Sequence, residues 1–402
     1  MRLARFVPTV AGAALLLAAP AAAQESRTFR EDGRWVREVR GVIPAASLPI
    51  RVDTDLGIIT LRAGPPGEIR YHVRARSGGA DDAEARRRLE GFAISASRSG
   101  DRVLFRGESS RVTTGRGLAV EFDLIVPAGT SQIEATTGAG DITAVGFDGR
   151  LVLLTHGGRI TADRLGGALR AESGGGEVSV GSAAAEVRLL TAGGNLRIGL
   201  AGGDVVAQSS GGDVSIDEAR GTVRVETGGG SISVRKASRD VDVGTSGGNI
   251  DLGAVGGRVS AATSGGSIRI GSAGGGVRCE TGAGPISIRG AAGPVRAVTS
   301  SGAIRAELGG GPGALADSDL QTWLGEVTVV LPEGLPATIR ALIDDPAGHR
   351  IRSDFPLRIS REAEGSGRPT EIGEGRVAGG GSLIKIRALG GDIVILRSKK
   401  TP

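Results

Sequence analysis

The chain is poor in the residues on which catalysts and nucleic-acid binders rely. Among 402 residues there are three histidines, one cysteine and ten aromatics, of which seven are Phe, two Trp and one Tyr. Cys279 stands alone, so no intramolecular disulfide can form and stability has to come from packing. Scarce aromatics leave few platforms on which bases or sugars could stack. His72, His156 and His349 are isolated, with no Ser-His-Asp or metal-ligand spacing around them. Asp344-Asp345 near His349 reads as a turn before Pro346. No catalytic residue, metal site or cofactor is therefore expected.

Charge of one sign is also lacking. Lys and Arg number 49 against 44 Asp and Glu, a formal net charge of +5. Residues 1–23 read as an export signal: Arg2 and Arg5 make a basic start, Phe6 to Ala19 an apolar run, and Ala21-Ala22-Ala23 the small residues that precede cleavage before Gln24. Without that leader 47 basic residues face 44 acidic ones, a bias of +3. No cysteine follows the cleavage point to carry a lipid, and no later apolar stretch reaches the roughly 18 residues of a membrane helix. The expectation is an exported protein without a membrane span after cleavage, placed in the periplasm, at the cell surface or outside the cell.

What the chain has in excess is glycine, 70 residues of it, in strict order. From Thr137 the sequence repeats every 18 residues, nine times over, without insertion or deletion. The register column is Thr137, Thr155, Ser173, Thr191, Ser209, Thr227, Thr245, Thr263, Thr281 and Thr299. Three residues after each stands a glycine, Gly140 through Gly302. With Thr137 as position one, positions six and eight are aliphatic from Ile142/Ala144 to Ile304/Ala306. Positions fifteen and seventeen are aliphatic from Leu151/Leu153 to Val295/Ala297. Two short alternating stretches per unit are the mark of strands with one buried face, and a short fixed period is the mark of a solenoid. The chain is thus expected to be all-β: a parallel β-helix of 18-residue coils, two short strands per coil.

Position eleven runs Phe147, Leu165, Ala183, Ala201, Ala219, Ala237, Val255, Ala273 and Ala291, an inward corner that narrows. The Thr/Ser column has inward parity too, so its hydroxyls should satisfy backbone groups buried at a corner. The glycine pairs at positions three and four suit either positive φ or stacked backbones that leave no room for a Cβ. At about 4.8 Å per coil, ten coil positions make a rod about 48 Å long. No coil could stand alone.

The flanks, residues 24–136 and 309–402, are less regular and should cap the repeat at 137–308. Asp81 to Gly91 is the one helical stretch, with Asp81 and Glu84 as a capping box, Leu89 and Phe92 as its apolar stripe, and Gly91 as its stop. Residues 361–381, rich in glycine and charge, read as a loop. Trp35 and Trp323 are expected to pack over the two ends of the stack. Thr245-Ser-Gly-Gly-Asn-Ile-Asp-Leu252 and Thr263-Ser-Gly-Gly-Ser-Ile-Arg-Ile270 resemble the core repeat of a bacterial putative-adhesin family. That family consists of β-strand-repeat proteins of unknown function, similar to the head GIN domain of adhesin-like proteins. The likeness extends to Leu56-Gly-Ile-Ile-Thr-Leu61 and, at the close, to Ser353-Asp-Phe-Pro-Leu-Arg-Ile359, Gly379-Gly-Gly-Ser-Leu-Ile-Lys-Ile386 and Gly390-Gly-Asp-Ile-Val-Ile395. The resemblance implies a β-helix, a place outside the cytoplasm and an adhesive role, and it carries no catalytic residues. Thr281-Gly-Ala-Gly-Pro285 departs from the motif.

Three sharper functions each demand a pattern of their own. A calcium β-roll needs a carboxylate in every turn, and the residue after the glycine pair is Asp141, Arg159, Glu177, Asn195, Asp213, Ser231 and Asn249 in turn. Position sixteen offers an outward basic column, Arg170, Arg188, Arg224, Arg278 and Arg296, which would suit a polyanion such as an anionic glycan. Arg170/Glu172, Arg224/Glu226 and Arg278/Glu280 sit two apart on that face, so much of the charge should be answered locally. A β-helix carbohydrate enzyme needs long loops to wall a groove, and 137–308 has none. The expected function is a non-enzymatic envelope or adhesion scaffold with an envelope or extracellular partner and no nucleic acid. The alternative is a sensor or accessory protein that binds an envelope component at its caps. Cys279 falls in an inward aliphatic column and reads as a small hydrophobe.

Overall fold

A computed structural model describes residues 24–45, 48–78, 81–110, 117–309, 316–362 and 369–398. The leader expected at 1–23 lies outside the described residues. The architecture is a β-solenoid built from two long stacks of strands, 18 in each, with one helix, Asp82–Glu90, among the described residues. Each regular coil gives one strand to each stack, as Val214–Ala219 and Val223–Thr227 do. Successive coils pair in parallel with a constant offset of one period: Val214 opposite Ile232, Val223 opposite Val241. Parallel in-register pairing puts like residues over like, so the sequence columns become physical columns.

The aliphatic columns are the core. Ile232, Val234, Val241 and Val243 are at most 3% exposed, and the narrowing corner from Phe147 to Ala291 is buried along its length. Alternation does the sorting, because Ser233 and Asp242 between those residues reach the outside. Cys279 is buried in the same column and burial pushes its thiol up to about 12, which makes it the inert hydrophobe that its position implied.

One corner is more tightly specified than the core. Thr227 donates its hydroxyl to the Gly212 carbonyl of the coil before at 2.8 Å, and Thr245 does the same to Gly230 at 2.8 Å. The hydroxyl also accepts from the glycine of its own coil, as Gly248 N–H to Thr245 Oγ1 at 3.2 Å. This seam runs from Thr137, which bonds Gly57, to Thr322, which bonds Gly302. A Cβ on Gly158, Gly176, Gly194, Gly212, Gly230, Gly248 or Gly266 would fall well inside contact distance of the preceding glycine's carbonyl. Positive φ is not the reason at those seven positions; in this column it occurs at Gly57, Gly140 and Gly325. The glycine beside each, at position three, is a different case: around Gly157, Gly175, Gly193 and Gly211 there is open space.

Both ends break sequence order. Ile50–Thr54 and Ile58–Gly64 form a complete coil whose corner is Asp55-Leu56-Gly57. It stacks directly on Gln132–Thr137 and Ile142–Val145, with Thr54 opposite Thr137 and Ile59 opposite Ile142. The chain between adds the helix and antiparallel strands, among them Gly67–Ser77 and Phe92–Ser99, which close this end. At the other end the last coil is threaded into the stack: Ser382–Gly390 lies between Ser318–Leu324 and Ala337–Ile343.

Three expectations need correction. Asp81 caps the helix, its Oδ1 accepting from Ala83 N–H at 2.9 Å, but Glu84 does not complete a capping box because it is held by Arg88 one turn on. The stretch read as a loop contains the strand Thr370–Val377, paired antiparallel with Ala337–Ile343 and Arg358–Glu362; residues 363–368 lie outside the described residues. Within the strand glycine serves packing, since Gly375 sits beneath Leu357, where a Cβ would clash, whereas Gly379 and Gly380, with φ of 88° and 91°, make the turn that follows. Trp323 does not cover an end, being 62% exposed, whereas Trp35 is half-buried against the core with the Arg86 guanidinium 3.8 Å above its ring.

The two glycine columns make a direct test. Gly212→Ala should destabilise the protein by about 1–3 kcal/mol or more through backbone overpacking. Gly211→Ala should stay within about 0.5 kcal/mol of the parent. Denaturant unfolding followed by far-UV dichroism measures both, and equal losses would contradict the seam.

Candidate interaction surface

With the interior accounted for, the outward rows carry whatever the rod recognises. The basic column lies on the outer face of one stack, where Arg170, Arg188, Arg224, Arg278 and Arg296 are all exposed. Four are answered by the protein's own acids. Arg170 pairs with Glu172, Arg188 with Glu186 at 3.5 Å, and Arg278 with Glu280 at 2.7 Å. Arg224 does not take Glu226, as its spacing suggested; it reaches Asp242, its direct neighbour on the next coil, at 3.0 Å. At this position the acid one strand away is nearer than the acid two along the same strand, so Arg224 pairs laterally where Arg170, Arg188 and Arg278 pair along their strands. Glu226 instead accepts from Gln208 at 3.3 Å. Such exposed pairs contribute about 0–1 kcal/mol each, so their effect is mainly to cancel charge.

Arg296 is the exception: it has no ion-pair partner among the described residues. It lines a shallow groove of about 580 Å³ that holds Arg258 and Arg278 and also four carboxylates, Asp240, Asp242, Asp317 and Asp319, the last opposite Arg296 on the next strand. The in-register stack thus sets Arg170 beside Arg188 and Arg278 beside Arg296, and leaves Arg224 alone between the two pairs. The row after the glycine pair has a structural role. Asp141, Asn195, Asp213 and Asn249 each accept, through a side-chain oxygen, the backbone N–H one coil on, at 2.7–2.9 Å. The described residues hold no group of three or more His, Cys, Asp or Glu side chains placed to share a metal ion. No helix among them is long and apolar enough to cross a membrane.

The outer corner above the seam is a ridge nearly free of side chains, passing Ser210-Gly211, Gly228-Gly229, Ser246-Gly247 and Ser264-Gly265. It ends in an abrupt apolar patch. Trp323 and Leu324 are 62% and 61% exposed, and Leu389 on the neighbouring strand is 37% exposed. The sequence holds the signal for this patch: Thr322 and Gly325 keep the Thr-x-x-Gly spacing of the repeat, which puts Trp323 and Leu324 on the outer corner.

At the opposite end the outer face is a lattice of charge. Glu38, only 3% exposed, receives Arg27, Arg40 at 2.7 Å and His72 Nε2 at 2.6 Å, while Arg76 grips Glu121. Burial alone would raise the Glu38 carboxyl, yet the hydrogen bonds from Arg27, Arg40 and His72, with the Arg27 charge, lower it from 4.5 to about 2. His349 sits far from this group, 3.2 Å from Asp392, whose carboxylate also takes the Arg350 N–H and Arg352. His156 is exposed on the outer corner.

The Glu38 shift has a definite sign. Its folded pKa lies below the unfolded one, so the stabilisation is complete above about pH 4.5 and is lost as pH falls through about 2. Glu38→Gln should lower stability at neutral pH and flatten the acid dependence between pH 4.5 and 2. Acid titration monitored by dichroism reads both, and an unchanged slope would remove Glu38 from the acid response.

No family model matches the chain, and no curated protein matches it. Among solved structures it is similar to a putative cell adhesion protein from Clostridium sporogenes, at 10% identity over 94% of this chain and 100% of that one, with a TM-score of 0.16. It is also similar to a putative adhesin from Bacteroides fragilis, at 11% identity over 92% of this chain and 98% of that one, with a TM-score of 0.21. At such identities and such loose superposition the likeness adds nothing to the reading of the coils.

Proposed function

We propose that this chain is a non-enzymatic, exported rod that presents long, flat faces to a component of the cell envelope or the extracellular space, an adhesin-like scaffold. The observation that carries the reading is the uninterrupted stack. Strand follows strand in register from Gln132–Thr137 to Ser318–Leu324, while the outward rows hold small polar and charged side chains. A surface of that kind recognises by extended contact, many weak and repeated interactions along one direction, and gives a reacting centre no walls to exclude water. The partner this reading assigns is an anionic glycan with an acidic group on Arg296, the column's arginine without an ion-pair partner, the four carboxylates of the groove limiting where that group can sit.

A second reading is favoured by the exposed Trp323, Leu324 and Leu389. Exposed aromatic and aliphatic residues at one end suit a contact made by the cap, as an accessory protein would make.

Pull-down from envelope fractions with residues 24–402, together with binding to anionic polysaccharide, separates the readings. Arg278→Ala with Arg296→Ala should weaken glycan capture about tenfold, equivalent to about 1.4 kcal/mol, and reduce its salt dependence. Trp323→Ala should leave that capture unchanged. The reverse pattern would transfer the function to the cap, and turnover of a polysaccharide would replace both readings with an enzyme.

A further inference from the structure

One stack ends, at the N-terminal side, in the strand Glu25–Glu31, which continues through the turn Asp32-Gly33 into Arg34–Ala45. Both turn residues have positive φ, 48° and 76°, as a tight two-residue hairpin requires. The strand pairs antiparallel with Arg34–Ala45 through seven consecutive residues without a bulge. Among the described residues the one strand in register with it is Arg34–Ala45. Monomeric proteins blunt edge strands with proline, charged side chains, lysine above all, a bulge or a covering loop; here the charges are two Arg and two Glu, so they repel or attract a second copy according to register. The segment Glu-Ser-Arg-Thr-Phe-Arg-Glu has no proline, lysine or bulge.

The order of its side chains suits one occupant. Glu25, Arg27, Phe29 and Glu31 share the outer face with Glu38, whereas Ser26, Thr28 and Arg30 turn inward, where Arg30 meets Asp82 of the helix at 3.2 Å. If the edge pairs antiparallel with its own copy about a two-fold axis normal to the sheet, residues of one face must oppose residues of the same face. Centring that axis on Phe29 places Arg27 opposite the second copy's Glu31, twice, with Phe29 against Phe29 and Thr28 beside Arg30. Centring it on Thr28 opposes Glu25 to Glu31, and centring it on Arg27 or Arg30 opposes arginine to arginine, each unfavourable; centring it on Ser26 opposes Glu25 to Arg27 but leaves Phe29 and Glu31 outside the described pairing, so the Phe29 register is the one that also joins apolar surface. Both ionic partners have capacity to spare. The Arg27 side chain is 64% exposed beside Glu38, and Glu31, 43% exposed, holds Arg74 at 2.6 Å through Oε2 and leaves Oε1 for another donor.

We infer that a second copy of this chain adds to the Glu25–Glu31 edge in the Phe29-centred register, joining two rods at their N-terminal ends by a sheet continuous across the dyad. The inference is independent of what the faces bind.

Sedimentation of residues 24–402 should give twice the monomer mass. Arg27→Glu and Glu31→Arg should each raise the dissociation constant at least tenfold. An equal mixture of the two should recover the dimer, because each mismatched pair then meets its complement; recovery also shows that both variants fold. Phe29→Cys should form an intermolecular disulfide on mild oxidation, since opposed Cα atoms lie about 4.5–5.5 Å apart. Arg27→Cys should not, because its copies stand roughly 13 Å apart along the strands. Cys279 is buried and takes no part. A monomeric parent, single charge reversals that leave the mass unchanged, or cross-linking as efficient at position 27 as at 29 would overturn the inference.

Discussion

The structure depends on the close approach of one backbone to the next at a single corner. Each glycine of the seam lies so near the glycine carbonyl of the preceding coil that a Cβ cannot be placed there. The carbonyl brought inward by that approach would be a buried, unpaired acceptor if the neighbouring hydroxyl did not donate to it. Glycine and hydroxyl are therefore two halves of one device, and the device works only if coils advance by a pure translation. Once it is in place, the aliphatic columns stack on themselves and the interior follows. At the last threaded coil the device stops: Ala388 stands where the hydroxyl would.

A seam of this kind constrains one corner and releases the faces. Outward positions can be arginine, glutamate, serine or glycine without disturbing the stack, as Arg224, Asp242 and Ser260 show in one outward row. Pairing along and across the strands then cancels much of the charge, and Arg296 and the apolar corner at Trp323 stand out from the cancelled background. Function in such a molecule is written on its sides and its ends, since the interior is fully occupied by packing.

The repeating part was legible in the sequence because parallel in-register stacking converts period into geometry. The buried columns, the narrowing corner and the inward hydroxyls all follow from parity. The ends were harder, because their neighbours in space are distant in sequence. Thr54 meets Thr137 across an intervening segment, and Ser318–Leu324 meets Ser382–Gly390. Gly373 and Gly375 looked like turn residues, and only the packing of Ile351 and Leu357 over them reveals a strand. Arg224 shows the same limit at the scale of one side chain: spacing along the strand favoured Glu226, while the next coil supplied Asp242. The basic column was legible as a column, and so were the Arg170–Glu172 and Arg278–Glu280 pairs along it; Arg224 alone took its acid from across the sheet.

Native-state hydrogen exchange resolved to single amides tests the seam most directly, because adjacent glycines are given opposite roles. Gly248 and Gly266 are buried and donate to Thr245 and Thr263, whereas Gly247 and Gly265 beside them are exposed on the ridge. The amides of Gly248 and Gly266 should be protected like those of the core strands, with Gly247 and Gly265 exchanging orders of magnitude faster. Equal exchange within each pair would contradict the account at its root.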